Sequence, residues 1–150
     1  MRDAIKRFFI LLEQPHANFK EQANALALSL DTLAYEVHAL PDPIPVESMI
    51  QSPDRESRSK RKHFFDLAVQ AFPRLRLYAP GRPLAEIEDE QVPADAADDI
   101  ADIAVALATG LWAWEHGGVE QGAARLRMDY ADHWGLQLHN LRVFLHETLN

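Results

Sequence analysis

No cysteine occurs in the 150 residues. That excludes a disulfide frame, a thiolate zinc site and a cysteine nucleophile. It also fits a reducing compartment. Long apolar runs are missing as well: no stretch approaches the ~20 residues a membrane-spanning helix needs, so no membrane association is expected. The first residues carry Arg2, Asp3, Lys6 and Arg7, and their apolar run stops at Glu13. That is not the pattern of a secretory signal, and the expected location is the cytoplasm. No G-x-G-x-x-G, no phosphate-binding P-loop and no G-x-S-x-G elbow is present. Neither a nucleotide cofactor nor a serine-hydrolase site is therefore expected, and no cofactor at all is implied.

Positive charge is scarce where it would matter for nucleic acid. The formal net charge is −8, and no Lys or Arg occurs from Pro83 through Ala124. An acidic balance of this kind argues against nucleic-acid binding, which depends on neutralising phosphates. The basic residues instead gather at Arg55, Arg58, Lys60, Arg61 and Lys62. Such a cluster fits an acidic partner, either an unknown protein or the acidic half of a second copy in a homodimer. The length predicts one domain over 1–150, large enough to bury about 70% of its extended surface around a core without staples.

What is present is helical periodicity. Ala4, Ile5, Phe8, Phe9, Leu11 and Leu12 make a short amphipathic helix that stops before Pro15. Asn18 caps a second, where Ala23, Leu26, Ala27, Leu30, Leu33, Ala34 and Val37 follow i, i+3, i+4, i+7 spacing to about Leu40. Pro41, Pro43 and Pro45 then stiffen a non-helical connection, and 46–51 has room for one turn. Ser52-Pro53 reads as the start of a third helix that exposes the basic cluster, buries Phe64, Phe65, Ala68 and Phe72, and ends at Pro73. Leu75, Leu77 and Tyr78 read as irregular or short extended backbone, and Arg82 to Ala94 as the longest loop.

The stretch from Asp95 to His146 organises the chain. Asp95 is a good N-cap, with Asp98 and Asp99 in the first turn where the helix dipole favours acids. Ile100, Ile103, Ala104, Leu107, Leu111 and Trp114 form its main apolar face, and Asp95, Asp98, Asp102 and Thr109 a narrow polar strip. Gly117-Gly118 ends this helix. The next carries Ala123, Leu126, Tyr130, Trp134, Leu138, Leu141 and Leu145 on one side, with Asp129, His133, Gln137 and Asn140 along its flank. Gly135, a poor helix-interior residue, signals a kink or a close approach. The fold class expected is all-α: an irregular bundle of four to five helices whose C-terminal pair forms an antiparallel hairpin.

Two patterns carry candidate chemistry. If the last two helices pack antiparallel across Gly117-Gly118, residues equidistant from that turn meet. The Asp98, Asp99 and Asp102 turn then faces His133 to Leu138. A carboxylate there is placed to hold the His133 imidazole or to accept the Trp134 indole N–H, while Asp129 is the i, i+4 partner of His133. The predicted polar cluster is thus Asp98, Asp99, Asp102, Asp129, His133 and Trp134. Helix capping and interhelical hydrogen bonding account for it without a metal. The alternative is a divalent-cation site on Asp98, Asp102 and His133 serving a hydrolase of a small phosphorylated compound, with Asp99 as a further ligand and His133 as ligand or general base. The D-D-x-x-D spelling also marks diphosphate-binding helices of terpene synthases, but those need a larger barrel and a second acidic motif that this chain lacks. The paired acidic elements of all-helical nucleotide pyrophosphatases are missing too.

"DDIADI", "GLWAWEHG", "DYADHWG" and the trailing "FLHE", with "FFILLEQP" and "ALPDPIP" earlier, resemble the bacterial family filed as domain of unknown function 5063. The similarity covers most of the chain and is densest from Asp98 to Gly135. This chain has Ala104 and Ala106 where that pattern carries an aromatic and an acid, and Leu136-Gln137 where it carries a basic residue and a second histidine. The resemblance implies a small helical domain and no activity. Together these features lead to the expectation of a bacterial cytoplasmic interaction or scaffold domain without catalysis.

Overall fold

The computed structural model describes residues 1–15, 17–52, 57–81, 90 and 92–150, with the side chains of 57–59 left aside. The expected Ser52-Pro53 helix start, Arg55, the side chain of Arg58 and most of the Arg82 to Ala94 loop lie outside the described residues.

The architecture is all-α. Helix α1 spans Arg2–Glu13 and α2 spans Phe19–His38; a 3₁₀ turn covers Val46–Ser48, and α3 covers Ser57–Ala71. Helix α4 runs Ala96–Asp129, a π-helical turn Tyr130–Trp134 continues it, and α5 covers Gly135–Leu149. Leu77–Tyr78 and Ala94–Asp95 form a two-residue antiparallel ladder, β1 with β2, just ahead of α4. The extended reading of Leu77 and Tyr78 covers only one side of that ladder. The pairing anchors the start of α4 beside the end of α3.

The boundaries follow from local chemistry. The Asn18 side chain accepts from the backbone N–H of Lys20 at 2.8 Å and of Glu21 at 3.3 Å. Asp95 does the same for Ala97 at 2.9 Å, so it serves both as a strand residue and as the N-cap of α4. Gly118 has φ 84° and ψ −175°, a backbone geometry that breaks α4 into two arms. The arms fold back on each other. A Cβ on Gly110 would lie 2.3 Å from the Leu126 side chain, and one on Gly122 would lie 2.5 Å from that of Trp114. Each pair is symmetric about Gly118, and each needs its glycine so that the arms can touch.

This hairpin is the centre of the molecule. Ile100, Ile103, Leu107 and Leu126 are completely buried, together with Trp134, Leu141 and Leu145. Helix α3 packs along α4, α2 along α5, and α1 against both α2 and α3. Phe8, Leu26, Leu30, Leu33 and Phe72 close the core from those sides. Burial of a large apolar side chain contributes about 1.5–3 kcal/mol, so this core outweighs any single polar contact in the molecule. Among the described residues no helix is long and apolar enough to cross a membrane.

Candidate functional site

The acidic first turns of α4 are where the sequence pointed, and three elements converge on them. Helix α3 supplies Arg61, whose Nε donates to Asp102 Oδ1 at 2.7 Å and whose Nη2 donates to Asp98 Oδ1 at 2.9 Å. Asp98 and Asp102 sit one helical turn apart, and the planar guanidinium fork spans them. Helix α5 supplies Gln137, whose amide donates to the other Asp102 oxygen at 2.9 Å. Strand β1 supplies Tyr78, whose hydroxyl donates a hydrogen bond to Asp99 and whose ring stacks on Phe144 of α5, 4.7 Å between centroids and 5° between planes.

Two different electrostatic environments result. Asp98 and Asp102 are half-exposed and cation-paired; with solvent screening, the pairing is worth on the order of 1 kcal/mol. The hydrogen bonds to Asp102 and Asp98 hold Arg61 above its ordinary pKa. Asp99 points inward and is buried. Burial pushes its carboxyl up to about 6; Tyr78 opposes that shift, while Asp102, Asp98 and Asp95 add to it by like-charge repulsion. Burial, then the hydrogen bond and charge of Asp99, push the Tyr78 hydroxyl up in turn.

The predicted opposition of the acidic turn and 133–138 is present, but its members differ. Asp102 meets Gln137, not His133. His133 is exposed, and no carboxylate of the acidic turn holds it. Trp134 is fully buried, and its indole N–H has no acceptor among the described residues, so the expected bond from Trp134 to an aspartate is not made. His133 is itself the fourth residue of the π turn, where the 3.6-residue period that put it on the Gln137 flank does not hold. Asp129 lies elsewhere: it faces Arg125 at 3.7 Å, and burial raises its pKa against the pull of Arg125 and His133.

Among the described residues no three His, Cys, Asp or Glu side chains gather as a metal site. The combination Asp98, Asp102 and His133 is thus not brought together. Arg61 occupies the position between the two aspartates where a shared cation would sit. Trp112 and Trp114 are half-buried, and the Trp112 ring stacks on that of His116, 4.4 Å between centroids.

Arg61, Tyr78 and Gln137 are the residues that the predicted cluster left out, and Arg61 and Tyr78 had no place near it in the sequence reading. Their signal was indirect. The basic cluster and the acidic stretch are complementary in charge, and Arg61 satisfies part of that complementarity within the chain. A pair separated by 41 positions has no local spacing to reveal it. No family model, curated protein or solved structure matches the chain.

Proposed function

We propose that this protein is a small helical interaction or scaffold domain of the bacterial cytoplasm, distantly related to the domain of unknown function 5063 family, and that it performs no catalytic step. One observation carries the reading. Each aspartate of the acidic turn already has a protein partner that holds the bundle together: Arg61 for Asp98, Arg61 and Gln137 for Asp102, Tyr78 for Asp99. A catalytic carboxylate needs a free oxygen facing a space where substrate fits. Asp99, whose pKa is shifted furthest towards neutrality, is instead buried under Tyr78.

The competing reading is a hydrolase in which Asp98, Asp99 and Asp102 hold a divalent ion and His133 acts as base. It predicts turnover. Purified protein incubated with nucleotides, sugar phosphates and simple phosphoesters, with magnesium or manganese, is expected to release no phosphate above background. Turnover that disappears in Asp102→Asn while the fold is retained would replace the scaffold reading with the enzymatic one.

A further inference from the structure

A second region of the hairpin holds an arginine that has no acid beside it among the described residues. Among the described residues, four arginines are not exposed: Arg61, Arg125, Arg127 and Arg142. Arg61 faces Asp98 and Asp102, Arg125 faces Asp129, and Arg142 faces Asp31 at 2.7 Å. Arg127 faces no carboxylate among the described residues. Its Nη1 donates to the carbonyls of Leu40 at 2.6 Å and Pro41 at 3.4 Å. In a chain of net charge −8, a half-buried guanidinium without a counter-charge is the exception.

Arg127 lines a groove of about 620 Å³ between the end of α2, the proline-rich connection, the returning arm of α4 and the π turn. Its walls are mostly apolar, including Ile44, Val46, Met49 and Met128, and no Asp or Glu lines it. The connection that forms one wall is pinned. Gln121 accepts from Ile50 N–H at 2.9 Å and donates to the Ser48 carbonyl at 2.8 Å, and Arg127 holds the Leu40 end. The opposite rim is Tyr130, the first residue of the π turn, packed edge-on against His38 and hydrogen-bonded to His139 at 2.7 Å. The volume falls within the roughly 300–1,000 Å³ of small-molecule sites, and π turns recur at functional positions.

We infer that this groove binds a small organic monocarboxylate with a flat apolar body, its carboxylate on Arg127 and its body between Ile44, Val46 and Met128. A guanidinium fork matches a carboxylate in shape, and a single uncompensated cation matches a single negative charge rather than a dianionic phosphate. The groove shares no residue with the aspartate cluster, and its occupancy does not depend on whether that cluster is inert.

The test uses naphthoate as probe and the uncharged naphthamide as its match, with binding followed by backbone amide chemical shifts of the whole chain. Naphthoate is expected to give saturable shifts confined to 37–49 and 124–131, with naphthamide at least about tenfold weaker, since one charge-assisted contact is worth about that factor. Arg127→Met should weaken naphthoate to the level of the amide. Val46→Trp changes an exposed side chain on the rim, so it keeps the fold while filling the groove, and it should abolish the shifts of both compounds. Absence of saturable shifts in the native protein, shifts centred elsewhere, or equal affinity for acid and amide would each overturn the inference.

Discussion

Replacing Gly135 by alanine is expected to destabilise the fold by about 2 kcal/mol or more, within the range for overpacking. The direction is the informative part. Gly135 has ordinary helical angles, φ −64° and ψ −46°, and an exposed helical glycine changed to alanine gains roughly 0.5–1 kcal/mol. Here the added Cβ would lie 2.4 Å from the backbone carbonyl oxygen of Tyr130 and 3.2 Å from its ring. A carbonyl cannot swing aside like a side-chain tip. The chain must give up the π turn, and with it the backbone path that seats Trp134 in the core. Denaturant unfolding of Gly135→Ala against the native chain measures the sign. A stabilised variant would mean that the π turn is not needed to seat Trp134.

Asp99→Asn is expected to show a stability advantage that grows with pH. The folded pKa of Asp99, about 6, lies above the ordinary unfolded value of about 3.9. Below the unfolded value both states are protonated and burial carries no charge penalty. As pH rises through this window the unfolded chain releases its proton first, so the native state loses stability until the folded group has also ionised. A difference between about 3.9 and about 6 corresponds to roughly 3 kcal/mol. The asparagine variant keeps an oxygen to accept from Tyr78 and has no proton to lose. Between about pH 4 and about pH 7.5 its stability relative to the native chain should therefore improve by roughly 2–3 kcal/mol. Parallel urea titrations across that range measure the difference directly, so other acids common to both proteins cancel. A flat difference would mean that Asp99 ionises as a solvated carboxylate.

The helices were legible because their ends are written in single residues: Asn18 and Asp95 as caps, Pro15 and Pro73 as stops, Gly118 as the reversal. The hairpin followed from counting outward from that reversal, and the count brings Gly110 to Leu126 and Gly122 to Trp114. It failed only where the helix departs from 3.6 residues per turn. Periodicity places His133 and Gln137 on one flank, but His133 lies inside the π turn, where that period fails, and the inserted residue leaves no mark in the composition. Gly135 signalled a local anomaly without saying which. Arg61 and Tyr78 were invisible for a different reason: they reach the acidic turn from other elements, and only tertiary packing sets those partnerships.

On the scaffold reading, Arg61, Tyr78 and Gln137 stand at Asp98, Asp99 and Asp102 in the places a cation would take. Manganese added to the native chain at submillimolar concentration, with paramagnetic broadening read at each backbone amide, tests it most directly. Broadening at 98–102 is predicted to be no greater than at the solvent-facing acids Asp42 and Glu47. Selective, saturable broadening of the 98–102 amides, lost in Asp102→Asn, would contradict it.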